Sequence, residues 1–482
     1  MTGIFRKTRC LALIIPILCL AVATAAAPAH TTTNPTVKIT GLNCSKTTFT
    51  TVTCTFKTNV PAKSSVATGT DKGNLIPTPD NHYRTAHSIT VKGEMPNTSY
   101  YALATVTAKN GQTAKPAWAG FKTAAPGSIP AKSTPPKKRV NLNGSLFFPV
   151  LADQVGTCLT PAIVAEETAM GINTIAGRLA SCPDVSALDK QAWYIDSLGD
   201  SQVDPKLIES ADALPSLLGW IQEPEPELSL SPADLPAAPE NGRLTFMVVG
   251  FAWWENDAVP WLGQGPSPGP WNQVYGHYIE KADALVWERH PYAGSCLSDT
   301  LGGTYGHLVG LASHSGNKAV LDEINVAQNS LGASCHAPQP TANRVAAQFW
   351  TAIIAKVNGI SYVTQHIGSL AITITPVIRA QVTKQDKQLA TLAPVLLYGK
   401  PVAVGSDPTS PVRYGAWSYQ GTTYVVAVNT QETTVSASFS TADSTNRTAH
   451  VMWENRSVKT TSGKFGPLAA RIYQMVPAAK QK

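Results

Sequence analysis

The 482-residue sequence is poor in charge: Asp, Glu, Lys and Arg make up 14% of it, against 43% hydrophobic residues. That balance excludes a disordered or fibrous chain and fits a globular one. Beyond the N-terminal leader no apolar run is long enough to cross a bilayer as a helix. No Cys-x-x-Cys occurs, so cysteine metal sites have little to build on, and nothing demands a metal or an organic cofactor. Basic clusters are scarce as well. The one dense group, Lys137-Lys138-Arg139, follows Thr134-Pro135-Pro136 and reads as a solvated linker, so a nucleic-acid partner is not implied.

What is present begins with Arg6, Lys7 and Arg9, then an apolar run from Cys10 to Ala27 that ends among the small residues Ala25-Ala26-Ala27-Pro28-Ala29. This is the pattern of a secretory signal peptide over residues 1–30, and it predicts a secreted, extracellular or cell-surface protein. Its removal leaves 35 basic against 31 acidic side chains, lowering the net charge from +7 to +4. Six cysteines remain: Cys44, Cys54, Cys158, Cys182, Cys296 and Cys335. An even number in an exported chain points to disulfides, with the pairing open at this stage. Sequons at Asn43, Asn97, Asn143, Asn446 and Asn455 matter only in a host that glycosylates them.

The texture changes along the chain. Residues 31–125 are rich in Thr, Val, Ser and Lys in short alternating runs, such as Thr51-Val52-Thr53-Cys54-Thr55-Phe56, which predicts a β-sandwich. Residues 126–140 form a Pro/Ser/Lys linker. Between 141 and 400, eight short apolar runs alternate with segments long enough for helices. They are Leu146 to Leu151, Ile172 to Ala176, Ala192 to Ile195, Leu217 to Ile221, Leu244 to Phe251, Ala284 to Trp287, Ala319 to Leu321 and Gly359 to Val363. Eight βα units predict a closed parallel (β/α)8 TIM barrel. Residues 401–482 return to alternation and predict a small antiparallel β-domain. The predicted fold is therefore multidomain: an N-terminal β-sandwich, a central TIM barrel and a C-terminal antiparallel β-domain.

In such a barrel, chemistry sits where strands end at the C-terminal face. Strand four runs into Gln222-Glu223-Pro224 and strand seven into Asp322-Glu323, so two glutamates meet at one face. Paired carboxylates are what glycosidic cleavage needs: one protonates the leaving oxygen while the other attacks the anomeric carbon or activates water. Each glutamate has a competitor. Glu223 opens the alternating Glu223-Pro224-Glu225-Pro226-Glu227, which an acidic loop would also explain. Asp322 adjoins Glu323, but alternation lets only one of the two face the barrel interior.

On these residues the chain resembles the retaining (β/α)8 glycoside hydrolases with an Asn-Glu-Pro acid/base at strand four and a nucleophilic Glu at strand seven. The resemblance spans roughly 141–400. It implies Glu223 as acid/base and Glu323 as nucleophile, with a β-linked poly- or oligosaccharide as substrate. It further implies that Arg178 after strand two supports the nucleophile within the substrate-binding site, and that His290 and Tyr292 after strand six line the sugar site. Gln222 stands where that family has asparagine, and Thr364-Gln365-His366 ends strand eight where it usually has tryptophan. Asp153 and Gln154 at the end of strand one, Trp253 and Trp254 after strand five, and Gln365 complete the candidate sugar contacts, since aromatic faces stack on sugar rings. Glu288 on strand six is either a sugar contact or a buried structural acid.

The barrel reading also pairs the cysteines by adjacent loops: Cys158 with Cys182 and Cys296 with Cys335, leaving Cys44 with Cys54 inside the sandwich. The run Met95-Pro96-Asn97-Thr98-Ser99-Tyr100 resembles the tyrosine corner of fibronectin type III domains. Two other functions compete with hydrolysis. One is a catalytically silent carbohydrate-binding or adhesion protein on the same scaffold; the other is a purely structural wall protein, with cell-wall or polysaccharide contact through the flanking β-domains.

Overall fold

A computed structural model describes residues 36–125, 133–134, 139–142, 145–154, 158–179, 188, 192–198, 211, 213–222, 230–238, 242–250, 276–288, 291, 300–326, 338–363, 374–407, 409–441, 447–458 and 462–477. Residues 37–482 belong to one compact unit.

The N-terminal sheet contains β1 (Ile39–Thr47), β2 (Thr51–Asp71), β3 (Asn74–Lys92), β4 (Ser99–Ala108) and β5 (Ala117–Lys122), in the order β1-β2-β4-β5 with β3 also on β2. Its strands alternate as half-buried strands should: on β4, Tyr100, Ala102, Ala104 and Val106 are buried while the residues between them are open to solvent or only partly covered. Cys44 lies directly opposite Cys54 across β1 and β2, and the two form a disulfide. Three short antiparallel strands follow, β6 (Ser133–Thr134), β7 (Val140–Leu142) and β8 (Ser145–Phe147).

Eight parallel strands then close into a barrel, each paired to the next and the last to the first. They are β9 (Val150–Gln154), β10 (Thr174–Gly177), β11 (Trp193–Ser197), β12 (Leu217–Gln222), β13 (Leu244–Val249), β14 (Ala284–Trp287), β15 (Ala319–Asn325) and β16 (Gly359–Val363). Interleaved with them are α1 (Pro161–Met170), α2 (Gly276–Lys281), α3 (Leu301–His314), α4 (Ala342–Ile354) and α5 (Pro376–Tyr398). Threonine caps four of these helices, Thr160, Thr300, Thr341 and Thr375 each accepting a hydrogen bond from an N–H in the first turn. Pro161 and Pro376 occupy first-turn positions, where no N–H is needed.

Burial on both faces explains why the barrel strands read as continuous apolar runs. One face of each strand builds the interior: Leu151, Trp193, Ile195, Phe246, Val286 and Leu321 pack together with no helical residue among them. The opposite face, including Ala152, Ile175, Tyr194, Met247, Trp287 and Tyr362, packs with Val164 of α1, Leu308 of α3, Phe349 of α4 and Leu389 of α5. Gly359 sits in close contact with its neighbouring strands. A Cβ there would lie 2.6 Å from the Pro149 ring and 2.8 Å from Leu321.

Several strand limits differ from those expected, and two of them bear on the site. The apolar run Leu146 to Leu151 is divided: Leu146 belongs to β8, and the barrel strand begins at Val150 after Pro149, which has no N–H to donate to a ladder. Strand seven continues through Asp322 and Glu323 to Asn325, so these acids lie within the strand rather than after it.

The C-terminal strands are β17 (Lys400–Pro401), β18 (Val404–Ser406), β19 (Val412–Tyr419), β20 (Thr422–Asn429), β21 (Val435–Thr441), β22 (Arg447–Val451), β23 (Arg456–Val458), β24 (Ser462–Phe465) and β25 (Ala470–Pro477). They make a six-stranded sheet, β17-β19-β20-β25-β22-β23, and a three-stranded sheet, β18-β21-β24. Strand β20 is buried throughout: Tyr424, Val426 and Val428 join the apolar cluster that includes the barrel helices, while Val425 and Ala427 face the antiparallel core with Phe439 and Phe465.

Helix α5 also receives the N-terminal sheet. The Tyr100 hydroxyl accepts from Met95 N at 2.8 Å and donates to Ala390 O at 3.2 Å, and Thr70 meets Thr391 at 2.9 Å. Beside Tyr100, Glu94 is buried; burial pushes its carboxyl up to about 7, against the pull of the Thr68 hydroxyl that donates to it at 2.7 Å. The folded chain therefore keeps a proton that the unfolded chain releases near 4.5, so stability from this group is complete below that pH and is lost as pH rises towards 7. Glu94→Gln should remove this loss, and the difference in unfolding free energy between variant and wild type should grow by roughly 3 kcal/mol from pH 4 to pH 8 in urea titrations. A difference that stays constant with pH would rule out Glu94 as its source.

Candidate active site at the barrel mouth

Strand alternation, fixed by register, decides which side chains reach the mouth. On β15, Ala319 and Leu321 belong to the interior cluster, so Glu323 and Asn325 continue the inward face, while Val320, Asp322 and Ile324 face the helices. Glu323 pairs in register with Ser361 of β16, and Asn325 with Val363, which pairs in turn with Asp153 of β9. Asp153 follows inward Leu151 by two residues and so faces inward as well. Ser197 stands two positions beyond Ile195 on β11. The interior thus changes character along the axis, from aliphatic and aromatic below to Asp153, Ser197, Glu323 and Asn325 above, all at most 7% exposed. Glu288 follows inward Val286 by two residues; its N–H donates to Val249 O at 3.0 Å, which extends β14 by one residue along β13.

Arg178 lies immediately after β10 and is exposed. Behind it, Asp196 of β11 accepts from Leu179 N at 2.7 Å, anchoring the backbone that carries Arg178. Asp196 was not among the sequence candidates. Its position opposite Gly177 marks it only once the register is known.

Asp322 is fully buried in the layer between strands and helices, beside Trp287 in register, and burial pushes its carboxyl well above the usual carboxylate range. Neither carboxyl oxygen meets hydrogen-bond geometry with a described residue; the Gln348 side chain of α4 lies near enough to offset part of the burial effect, while its amide donates to the Glu323 carbonyl at 3.1 Å. A neutral acid suits that layer, and the same amide fixes the backbone of Glu323.

Two expected sugar contacts point elsewhere. Gln154 faces the helices, and its amide donates to Glu167 of α1 at 2.7 Å, both residues being buried. Gln222 lies in register with outward Met247, and its amide donates to Pro236 O. In both cases the strand continues beyond the end of the apolar run, by three residues in β9 and one in β12, and its last side chain faces out. Glu223, His290, Tyr292, Trp253, Trp254 and Gln365 lie outside the described residues. Cys158 is disulfide-bonded, and Cys182, Cys296 and Cys335 likewise lie outside them.

No family model matches the chain, and no curated protein matches it. Among solved structures, it is similar to an α-amylase from Geobacillus thermoleovorans complexed with acarbose, at 9% identity and TM-score 0.45, over 69% of this chain and 99% of that one. A cyclomaltodextrinase aligns at 8% identity and TM-score 0.43, over 89% and 97% of the two chains. A GH30 endoxylanase from Clostridium papyrosolvens C71 aligns at 16% identity and TM-score 0.39, over 72% and 98%. Likeness at this level decides neither substrate nor mechanism. The closed barrel is established by the chain's own strand pairing.

The outward Gln154 makes a direct test of side-chain direction. Gln154→Ala strips the buried Glu167 carboxyl of that donor and should lower stability by about 1–3 kcal/mol in thermal or urea unfolding. Replacing both residues with methionine should cost distinctly less than the two single changes added together. Additive losses would show that the pair is not coupled.

Proposed function

We propose that the chain is a secreted glycoside hydrolase working at the barrel mouth on a β-linked poly- or oligosaccharide, by a retaining double displacement. The observation that carries this reading is the opposed pair on β15: Glu323 on the inward face among Asp153, Ser197 and Asn325, and Asp322 neutral and buried on the outward face. Glu323 is then the nucleophile, set among polar groups and with its backbone held by Gln348. Glu223, one residue beyond outward Gln222, takes the acid/base role. In the first step Glu323 attacks the anomeric carbon as Glu223 protonates the departing oxygen; in the second, Glu223 takes a proton from the water that releases the sugar. Arg178 and Asp153 are the proposed substrate-binding groups at the rim.

Export is supported by the N-terminal leader and by the oxidised Cys44 and Cys54, since disulfides persist outside the reducing cytosol. A fibronectin type III relationship for the N-terminal sheet is supported by Tyr100, whose hydroxyl accepts from the backbone five residues upstream. One observation favours the silent carbohydrate-binding alternative: the outward Gln222 takes out of the mouth the amide that the resemblance assigns to the sugar.

The test is hydrolysis of a panel of plant, fungal and bacterial glycans, with the anomeric configuration of the first product followed by NMR. Wild type should release sugar with retained configuration; Glu323→Gln should lose activity on the order of 10³-fold or more, whereas Asp322→Asn, an isostere of a neutral acid, should keep most of it. Release of inverted product would replace the double displacement with a single one. If no glycan is cleaved, the binding-protein reading takes its place.

A further inference from the structure

A second surface of the molecule has the composition of a carbohydrate site, walled by the N-terminal sheet and two helices and by none of the barrel strands. A cavity of about 770 Å³ opens between the N-terminal sheet and helices α1 and α5. Its wall is rich in hydroxyl and amide groups, among them Thr70, Asn97, Ser99 and Thr383. Asp386 also lines it. This carboxyl is 3% exposed; its Oδ1 accepts from the Tyr362 hydroxyl at 3.0 Å, while Oδ2 is buried without a hydrogen-bond partner among the described residues. A buried acceptor left open in this way is costly unless something else meets it.

Tyr101 continues the cavity onto the open face of the sheet. It is 41% exposed and shares that face with Trp118, 44% exposed, because Tyr101 pairs with Gly120 and Leu103 with Trp118 across β4 and β5. The Lys72 ammonium lies 5.2 Å from the Tyr101 ring centre and 5.3 Å from that of Trp118, so both rings turn a surface to one place. Exposed rings beside a cation, running into a hydroxyl-lined cavity, match a ligand that offers apolar ring faces, many hydroxyls and negative charge.

The charge distribution points the same way. Residues 36–125 carry ten Lys and Arg against three acids, whereas residues 126–482 carry 25 against 28. None of those three acids is a free surface charge. Asp71 accepts from Trp453 Nε1 and Asn74, Asp80 is paired with Arg84 and His82, and Glu94 is buried. The basic excess of the whole protein is thus concentrated on the sheet that carries the aromatic pair, with Lys122 and Lys387 at the cavity itself.

We infer that the Tyr101–Trp118 face and the adjoining cavity bind an acidic polysaccharide, a chain of sugar rings bearing carboxylate groups, separately from the barrel mouth. Single-stranded nucleic acid also pairs rings with cations; the hydroxyl- and amide-rich wall of the cavity favours a ligand with many hydroxyl groups, and competition by an oligonucleotide distinguishes the two.

Affinity electrophoresis of the full chain through gels containing polygalacturonate tests this, with neutral galactan and single-stranded oligonucleotide as competitors. Wild type should be retarded by polygalacturonate and released by rising salt; Tyr101→Ala combined with Trp118→Ala should weaken binding roughly tenfold or more, and Lys72→Ala should reduce its salt dependence. Glu323→Gln should bind as wild type does, which separates this site from the proposed catalytic one whether or not that one hydrolyses anything. Circular dichroism of the surface variants should match wild type. The inference is overturned if polygalacturonate fails to retard the chain, if the aromatic variant binds normally, if Glu323→Gln abolishes binding, or if the oligonucleotide competes better than polygalacturonate itself.

Discussion

Everything at the barrel mouth depends on strict alternation in strands that are buried on both faces. In a closed sheet there is no edge and no solvent face to absorb a polar residue, so each side chain must suit either the interior or the helical layer. The lower interior is filled by Leu151, Trp193, Phe246 and Leu321, which leaves polar groups only the upper end. Adjacent acids on one strand then meet opposite fates. Glu323 joins the polar mouth, whereas Asp322, one residue before it, enters a layer that favours its uncharged form. The difference is made by geometry rather than by residue type.

This constraint also explains which features could be read from the sequence. Double burial turns barrel strands into apolar runs, and all eight are visible as such between Leu146 and Val363. What an unbroken apolar run conceals is its phase, because both faces look alike. Where the run ends in a polar pair the phase matters most. For Asp322 and Glu323 alternation separates the two and is settled by neighbouring Leu321. At Asp153 and Gln154 the same separation holds, but only the register with β10 and β16 shows that Asp153 is the inward member and that Gln154 serves Glu167. Gln222 fails for the same reason: the sequence shows an amide beside Glu223, and only the pairing with Met247 shows where it points. Asp196 could not have been found from composition, since its role is to hold a backbone N–H seventeen residues earlier.

The flanking sheets are more closely joined to the barrel than the change of texture at either end suggests. A Pro/Ser/Lys linker and a return to alternation read as independent modules, because sequence periodicity reports what each strand does and not what its faces touch. Yet Tyr424, Val426 and Ile472 of the C-terminal sheet and Ile76, Met95 and Tyr100 of the N-terminal sheet share one apolar cluster with the barrel helices. Polar contacts bind the two flanking sheets to each other as well: Trp453 N donates to Asn74 at 2.8 Å, and its ring nitrogen to Asp71 at 2.9 Å.

Helix α5 is the element on which these attachments converge, and its packing is intolerant of change. Gly93 of the N-terminal sheet comes so close that a Cβ there would stand 2.9 Å from the Pro394 backbone, and one on Gly171 would stand 2.7 Å from the Asp386 Cβ. Both glycines also hold positive φ, at 86° and 106°, so neither close approach can be reached by another residue without strain. Asp386 in turn accepts from Tyr362 of β16, the strand whose Ser361 lies in register with Glu323. Strand β16 therefore touches both the cavity beneath the N-terminal sheet and the barrel mouth, the first only through a hydrogen bond to a residue of the cavity wall. Tyr362 extends outward to the helix that lines the first, and Ser361 inward to the second. A polar group is affordable at each position only because packing around it is close enough to exclude alternatives.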